Sequence, residues 1–388
     1  MTLNRNPDNY FTETEQVAFM TSNIVPGIDF SDDPLLQGRN FSYLDTQLSR
    51  LGSPNWQELP INRPISPAAN YQRDGHMRSA INKGRVSYEP NTLAGNKPGE
   101  VPAGQGGNIT YPEPLGGTKI RVRSESFGDH YGQARLFWNS MSPVEKLHIV
   151  RAQQFELGKV ETQAIRQSML AHLHKINSML GDLVAVAIGE APAGDGPPPT
   201  DAQIMEMVKD AVSPTTASGG LQHASALSTE GQPKTAKSRK VAILAADGVN
   251  GRDVADMKTA LSAKGVTAEV VALHLGELTT ADGESVRVDK TLMTTPSVVY
   301  DAVYVPNGAQ SVQRLLSQGQ AAFFIKQAYK HGKAIAAQSD GLHLLHHASV
   351  PVVAEQGVLD LTNAEPAAFL EAVAQHRYWN RQTDNLVA

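Results

Sequence analysis

The stretch Val241-Ala242-Ile243-Leu244-Ala245 decides the fold of the C-terminal part of the chain. Apolar residues in succession, without polar alternation, are typical of a strand that is buried on both faces of a parallel sheet. The pattern then alternates between helix and strand, as expected for βαβ units. The alternating segments are residues 253–264 (helix, ended by Gly265), 268–273 (strand), 302–306 (strand), 320–330 (helix) and 334–337 (strand). Residues 240–388 are therefore predicted to form a doubly wound parallel sheet with right-handed crossovers.

Upstream of this domain we predict a linker and a helical region. The linker is predicted at 191–239, where Pro, Gly, Ser and Thr are frequent, and it contains one short helix that begins near Asp201. The helical domain is predicted at 141–190, because Ser142-Pro143-Val144-Glu145 has the form of a capping box with Pro at the first helical position. Apolar residues then recur at roughly helical spacing, at Leu147, Val150, Phe155, Leu157 and Val160.

Residues 1–140 form the third predicted part of the chain. They are dense in Pro, Asn and Gly, and they contain one clear helical segment, residues 35–51. Such a segment has few apolar residues with which to build a core of its own. We therefore predict mostly irregular structure here, with the composition of a segment that is unable to fold alone.

The predicted helix contains the run Arg39-Asn40-Phe41-Ser42-Tyr43-Leu44-Asp45-Thr46-Gln47, which is followed by Arg50. A phenol titrates near pH ~10, so Tyr43 becomes an anionic ligand at neutral pH only when a metal and a nearby cation stabilise the phenolate. Arg39 precedes Tyr43 by one helical turn, where its guanidinium can donate to the phenolate without losing its charge. Arg50 follows Tyr43 by two turns on the same face.

The pattern Arg-x-Phe-x-Tyr-x-Asp-Thr-Gln resembles the proximal haem-ligand motif of the haem catalases, in which Tyr is the axial ligand. The resemblance implies haem b or haem d as the cofactor and hydrogen peroxide as the substrate. It also implies that Tyr43 is the axial ligand of the haem iron, with Arg39 beside the phenolate and Arg50 on a haem propionate. Four flanking segments look similar to the same family, namely residues 3–11, 22–27, 59–64 and 129–138.

Together with the α/β domain, the whole chain is similar to the C-terminal portion of a large-subunit haem catalase. For residues 240–388 this implies a flavodoxin-like domain of the class I glutamine amidotransferase type. For residues 1–140 it implies an arm that wraps around neighbouring subunits of a homotetramer. Catalases of this kind carry their distal His and Asn on an N-terminal β-barrel, and because Tyr43 lies close to Met1 we expect no distal catalytic residue in this chain. Met20 stands where some members have a His joined covalently to the ligand Tyr, so we expect a noncovalently held tyrosine.

Two functions from different classes follow. One is a catalase-type hydroperoxidase in oxidative-stress defence, to which this chain contributes the proximal side of the haem site. The other is a noncatalytic protein whose C-terminal domain stabilises an assembly or acts as a chaperone-like partner. A third hypothesis is a hydrolase at Ser339, since the turn 337–341 lies where active glutamine amidotransferase relatives place a nucleophilic Cys. Its candidate base is His343, but the turn 247–250 lacks the acidic residue that those relatives use, which favours a structural role for Ser339.

The composition excludes several classes of site. The chain has 388 residues, a net charge of −5, a pI near 6.2 and no Cys, so disulfides, thiol nucleophiles and Cys-ligated metals are excluded. We expect no nucleic-acid partner, because there is no basic patch interleaved with aromatic residues. We also expect no membrane association and a cytoplasmic location, because residues 1–15 are unlike a signal peptide and no stretch is apolar enough to span a bilayer. His172 and His174 are a poor metal pair, since residues two apart on a helix point to different faces.

Overall fold

The computed structural model describes residues 5–25, 27–65, 73–118, 120–191, 198–215 and 220–381. The chain divides into two units, Met1–Arg121 and Val122–Ala388. Within the described ranges, the first unit is built around one long helix and irregular chain, and the second contains a group of helices followed by an α/β domain. No helix in these ranges is long and apolar enough to cross a membrane.

The long helix of the first unit, α1, is Pro34–Leu51, which confirms the helix predicted at 35–51. Its start is fixed by Asp33, whose side chain accepts hydrogen bonds from two N–H groups of the first turn, and by Pro34 at the first helical position. It ends at Gly52, which adopts φ = +68° and donates its N–H to a carbonyl of the last turn. Local capping therefore accounts for both ends of this helix.

The chain around α1 buries few of its apolar side chains. Ile81 is 93% exposed and Leu115 is 76% exposed. A small cluster of buried side chains does form beside α1, and it consists of Ala18, Met20 and Trp56. These exposures agree with the prediction of a segment that lacks a large core of its own.

The second unit begins with helices. They are α2 (Gly132–Ser140), α3 (Pro143–Leu157), α4 (Gln163–Ile176), α5 (Ser178–Ala187) and α6 (Asp201–Lys209). The predicted capping box is confirmed at the start of α3, where Ser142 and Glu145 each accept a hydrogen bond from the other's backbone N–H. The predicted apolar face of α3 is confirmed at Leu147, Val150 and Leu157, which are at most 8% exposed.

Phe155 is an exception on this helix. Its side chain is 66% exposed, and the ammonium group of Lys159 lies 3.6 Å from the centre of its ring. At 3.6 residues per turn, Phe155 is rotated by about 140° from the direction of the buried Val150. Its place in the predicted apolar series is therefore wrong, because the helix turns this position towards solvent.

Helix α6 lies in the segment predicted as a linker, and it is packed into the helical core. Ile204 and Val208 are both completely buried. The ammonium group of Lys146 donates to the carbonyls of Val208 and Ala211 at 3.1 Å each, and Trp138 Nε1 donates to Ala211 at 2.8 Å. These bonds hold the end of α6 against α2 and α3, and they satisfy the Ala211 carbonyl just beyond the helix.

Glu145 fixes the chain beyond α6 to the start of α3. Its carboxylate accepts hydrogen bonds from the N–H and hydroxyl of Thr229, at 2.8 and 2.7 Å, and from the hydroxyl of Ser228 at 2.9 Å. Partial burial raises the pKa of Glu145, but these bonds and that from the Ser142 N–H outweigh it and lower the pKa to about 2. The loop at 228–229 is thus anchored to the helical region.

The α/β domain contains a six-stranded parallel sheet and a separate antiparallel hairpin. The strands are β1 (Lys240–Leu244), β2 (Thr267–Ala272), β3 (Gly276–Thr279), β4 (Ser285–Val288), β5 (Lys290–Thr291), β6 (Ala302–Val305), β7 (Ala334–Ala337) and β8 (Val358–Asp360). The sheet order is β5-β2-β1-β6-β7-β8, and β3 pairs with β4. Without the two-residue β5, the order in chain sequence is 2-1-3-4-5, as in flavodoxin-like sheets.

Helices cover both faces of this sheet. They are α7 (Gly251–Ala263), α8 (Ala309–Leu316), α9 (Gly319–Lys330), α10 (Gly341–His347) and α11 (Pro366–Gln375). Successive residues of β1 point to opposite faces, so Val241 and Ile243 join a core with α7 and α11, whereas Ala242 and Leu244 join a core with α8, α9 and α10. The predicted doubly wound parallel sheet is confirmed.

Several elements of this domain are absent from the sequence prediction. The edge strands β5 and β8 have two and three residues, too few for a periodic signal. The hairpin β3–β4 lies outside the main sheet and buries few of its side chains, so it lacks the apolar run that marks the central strands. Pairing with a neighbour, rather than local composition, creates these strands.

Replacing Ile204 by Ala should destabilise the helical region by about 2–5 kcal/mol, because it leaves a cavity at a completely buried position of α6. Urea unfolding of the full chain can follow the fluorescence of Trp138, which lies in the same cluster, after Trp56 and Trp379 are replaced by Phe. Met207, 44% exposed on the same helix, provides the control, and its replacement by Ala should change the unfolding free energy by less than about 0.5 kcal/mol. Equal effects of the two substitutions would show that α6 is not docked.

Replacing Glu145 by Gln should lower the free energy of unfolding at pH 6, and the difference from the unchanged chain should shrink as the pH falls. The folded pKa of about 2 lies below the value of the unfolded chain, so the stabilisation is complete above the unfolded pKa and is lost as the pH falls towards the folded pKa. Urea unfolding between about pH 5 and pH 2 measures this change. The control is Glu156→Gln, at a side chain that is 68% exposed. Its free energy of unfolding should differ little from that of the unchanged chain over the whole pH range. A difference for Glu145→Gln that is independent of pH would contradict the assignment.

Candidate functional site

Helix α1 presents its candidate site residues along one side. At about 100° per residue, Arg39, Gln47 and Arg50 all point within about 40° of the direction of Tyr43. The caps at Asp33 and Gly52 fix the length of the helix on both sides of this group. Arg39, Tyr43 and Arg50 therefore lie on one side of a single helix, as the sequence predicted.

The ring of Tyr43 is half-buried and is held by packing. It contacts the cluster of Ala18, Met20 and Trp56, and the ring of Phe19 meets it edge to face, with the ring centres 5.7 Å apart and the planes at 76°. The described residues provide no hydrogen-bond partner for its hydroxyl group. The ring is thus restrained while the phenol oxygen is left available to a ligand.

The two predicted arginines differ in their surroundings. The guanidinium of Arg39 is exposed and makes no hydrogen bond or ion pair with described residues. In contrast, Arg50 donates to the main-chain carbonyls of Glu15 and of Val17, the latter at 3.0 Å, and lies 3.5 Å from the Glu15 carboxylate. Arg50 therefore holds residues 15–17 against the end of α1, and its contact with a propionate stays a prediction.

Two amide side chains, those of Gln47 and Asn62, hold the backbone of residues 16–19 beside Tyr43. Gln47 donates through Nε2 to the carbonyl of Phe19 at 3.0 Å. Asn62 accepts from the N–H of Ala18 at 2.7 Å and donates to the carbonyl of Gln16 at 3.0 Å. Sequence reasoning did not single out Asn62, although it lies in the flanking segment 59–64.

The residues around Tyr43 fit a prosthetic group that is bound through the phenol oxygen. That oxygen has no described partner, and the Arg39 guanidinium, which also lacks one among the described residues, lies one helical turn away on the same side. The buried Oε1 of Gln47 also lacks a hydrogen-bond partner within the described chain. A phenolate oxygen supported by a cation is a ligand type that suits ferric haem iron.

The histidine pair on α4 does not form a second site. His172 Nδ1 lies 2.6 Å from the hydroxyl of Tyr131, whereas His174 contacts Asp182 at 3.0 Å and the carbonyl of Leu170 at 2.9 Å. The hydrogen bond to Asp182 raises the pKa of His174. Among the described residues, no group of three or more His, Cys, Asp or Glu side chains could hold a metal ion.

Three protein-family models match successive parts of the chain. The catalase model matches residues 1–95, which contain α1. The model described as catalase-related immune-responsive matches residues 124–188, and that of the C-terminal domain found in long catalases matches residues 237–383.

Individual relatives match along nearly the whole chain. Catalase-2 of Bacillus subtilis is 43% identical over 387 residues, which are 98% of this chain and 53% of that relative. Catalase HPII of Pseudomonas aeruginosa is 44% identical over 391 residues, 98% of this chain and 52% of the relative. The chain is a homologue of the large-subunit catalases. It spans about half the length of the curated relatives that it matches.

In this catalase homologue, Ser339 lies on the sharp turn between β7 and α10. It adopts φ = +48°, and its N–H donates to Thr362 Oγ1 at 3.0 Å. The next turn is tightly packed, because a Cβ at Gly341 would lie 2.6 Å from the carbonyl oxygen of Val305. The described hydrogen bonds connect no histidine to Ser339, and His343 is exposed. The turn has the shape that presents a nucleophile, but the described residues do not provide a base.

A carboxyl group that sequence reasoning missed lies near this turn. Asp253, in the first turn of α7, accepts hydrogen bonds from the N–H of Asn307 at 3.2 Å and from Gln338 Nε2 at 3.4 Å. Gln338 in turn accepts from the hydroxyl of Tyr304 at 2.7 Å. Burial raises the pKa of Asp253 despite the Asn307 N–H. Within the turn 247–250, Asp247 accepts from the N–H of Thr279 at 2.9 Å and pairs with Arg314, whereas Asp253 of the following helix approaches the turn of Ser339 through Gln338.

Replacing Ser339 by Gly should stabilise the folded chain by about 1 kcal/mol, because Gly adopts positive φ without the steric cost of a Cβ. Ser349, at φ = +57° on the same domain, is a matched control, and Ser349→Gly should give a similar gain. Gly341→Ala should destabilise, since the new Cβ meets the Val305 carbonyl. Thermal and urea unfolding measure all three. An esterase activity that disappears in Ser339→Ala would contradict the structural role.

Proposed function

We propose that this chain provides the proximal side of the haem site in a catalase-type hydroperoxidase, which converts two H2O2 into O2 and two H2O. The observation that carries the proposal is the surroundings of Tyr43: a ring held by packing, and a phenol oxygen and an Arg39 guanidinium one turn away that both lack a partner among the described residues. Catalase relatives along nearly the whole chain support it.

Each residue of the site would have a distinct role. Tyr43 would bind the iron of haem b or haem d through its phenolate oxygen. Arg39 would stabilise that phenolate, because a guanidinium keeps its charge at any pH that the folded protein tolerates. The bound haem would supply the redox chemistry that acts on hydrogen peroxide. On the proximal side of the haem, the protein would therefore hold the Tyr43 phenolate oxygen in one position.

The packing around Tyr43 supports this role. Phe19 and Trp56 restrain the ring, and Gln47 and Asn62 fix the backbone that carries Phe19. Met20 lies in the cluster that Tyr43 contacts, and a thioether is chemically unable to form the covalent link that a His makes at this place in some members. We propose a Tyr43 that is held by packing alone.

Arg50 remains the proposed partner of a haem propionate. Its side chain is 41% exposed and lies 3.5 Å from the Glu15 carboxylate. A propionate would replace that carboxylate as the anionic partner, while the bonds to main-chain carbonyls could persist, because a guanidinium has five donors. This exchange would couple haem binding to the segment before α1.

The rest of the molecule is proposed to serve an assembly. Exposed apolar side chains in the first unit, such as Ile81 and Leu115, support the proposal that residues 1–140 wrap around neighbouring subunits of a homotetramer. The strand order supports the proposal that residues 240–388 form a flavodoxin-like, class I glutamine amidotransferase-like domain. The distal His and Asn would come from a barrel outside the matched half.

Haemin added to the purified chain should give a sharp Soret band with the high-spin ferric features of tyrosinate ligation, and Tyr43→Phe should abolish it. The control is Tyr88→Phe, at a tyrosine of the first unit that is 56% exposed, and it should leave the spectrum unchanged. Arg39→Gln should weaken haemin binding, because the phenolate loses its charged partner.

Retention of the same spectrum in Tyr43→Phe would overturn the ligand assignment. If the chain and both tyrosine variants show only the broad band of free haemin, this chain does not hold haem by itself. Its own function would then be sought in the α/β domain, as a noncatalytic stabilising or chaperone-like unit. The complete sheet, with both faces covered by helices, is the observation that favours that alternative.

A further inference from the structure

A cavity of about 620 Å³ lies in the second unit, far in sequence from α1. One wall is the loop 229–234, and the other is the segment 374–380 at the end of α11. Arg239, just before β1, also lines the cavity. The volume falls within the range of small-molecule sites, which is about 300–1,000 Å³.

Both walls are held in place. The Glu145 carboxylate fixes Thr229 through two hydrogen bonds. On the other wall, the N–H of Tyr378 donates to the carbonyl of Gly332 at 2.7 Å, and Arg381 donates to the carbonyl of Gln356 at 2.7 Å. The cavity is therefore formed by anchored backbone.

The cavity wall includes a strained turn. His376 adopts φ = +74° and ψ = −52°, and the N–H of Arg377 donates to the carbonyl of Gln375 at 3.0 Å. This is a γ-turn with positive φ, which is rare for a residue with a side chain. Strain of this kind persists where the surrounding structure enforces it, and it concentrates at binding sites. Here the turn brings Arg377 into the cavity wall.

Cations predominate around this wall. Lys234, Arg239 and Arg377 line the cavity, together with the carboxylates of Glu230 and Glu355. Asp301 is shared, because its Oδ1 lies 3.6 Å from Arg239 and 3.1 Å from His376 Nε2.

Two further cations are buried beside the cavity. Lys333 and Arg381 are 3% and 8% exposed, and all their described hydrogen bonds end on main-chain carbonyls. Burial, reinforced by the Arg377 guanidinium, lowers the pKa of Lys333 to about 8. Asp301 partly offsets this effect at Lys333, but in the described chain neither buried cation forms an ion pair with a carboxylate, and both add to the positive potential at the cavity.

Arg377 has donors to spare. Its described hydrogen bond is from Nη1 to the carbonyl of His376 at 2.9 Å, and a guanidinium carries five N–H donors. A phosphate group matches this fork in geometry and charge. The neighbouring Tyr378 and Trp379 offer aromatic surface for a planar ring.

We propose that this cavity binds a small organic phosphate with a planar ring, of the size of a nucleoside monophosphate. Arg377, Arg239 and Lys234 hold the phosphate group, and Trp379 stacks on the ring. Glu230 and Glu355 accept hydrogen bonds from hydroxyl or amino groups of the ligand. All residues of this site belong to the second unit, whereas Tyr43 belongs to the first.

Titration calorimetry of the full chain with 5′-AMP, in a buffer free of phosphate, tests the proposal. We expect saturable binding that quenches tryptophan fluorescence, and no quench in Trp379→Phe. Arg377→Gln and Lys234→Gln should each weaken binding, the former about tenfold or more, as expected for loss of a charged hydrogen bond. Arg252→Gln, at a side chain that is 87% exposed on α7, should leave it unchanged.

Adenosine and inorganic phosphate separate the two parts of the ligand, and each should bind more weakly than 5′-AMP. Lys234 is exposed, so Lys234→Gln keeps the test decisive if Arg377→Gln fails to fold. No saturable binding of 5′-AMP at millimolar concentration would overturn the proposal. Affinity that stays unchanged in both Arg377→Gln and Lys234→Gln would overturn it too, and equal affinity for inorganic phosphate and 5′-AMP would exclude the planar ring.

Discussion

Satisfaction of buried backbone N–H and C=O groups is the constraint on which both units depend. In the α/β domain the parallel ladders on both sides of β1 meet it, and side chains are left to pack above and below. The first unit has little regular structure, so side chains take over the same task. Asn62, Gln47 and Arg50 each bond main-chain groups of residues 15–19. The irregular chain is ordered around α1 by polar side chains rather than by a large core.

The same constraint shapes the proposed haem-ligand site. Because Gln47 Nε2 and the Asn62 amide hold the neighbouring backbone, Tyr43 can be held by apolar contacts alone, and its oxygen has no partner among the described residues. Arg39 remains exposed on the same side of the helix. The proposed ligand oxygen and its proposed supporting cation therefore make no hydrogen bond to a described residue that binding would have to break. Arg50 bonds the main chain of residues 15–17, and its side chain is still partly exposed to solvent.

In the α/β domain, a group of polar side chains lies beside the turn of Ser339. Asp253, Gln338 and Tyr304 form a connected set of hydrogen bonds at the ends of the strands, beside the turn of Ser339. Elsewhere in the second unit, the region around Arg377 has more cations than carboxylates and a strained turn at His376. The first set is internally satisfied, whereas the second retains unused donors, which is why a ligand is inferred for the second and not for the first.

Local sequence signals were enough to predict many of the helices and strands of this protein. Helix α1, the capping box of α3 and the central strands are each specified by caps, turn residues or apolar runs that lie next to one another in the chain. The short edge strands, the docking of Ile204, the outward position of Phe155 and the approach of Asp253 to Gln338 are different. They depend on packing and pairing between residues that are distant in sequence, or on the rotation of a whole helix. A periodic pattern records which side chains avoid water, and only the tertiary structure decides which groups they meet.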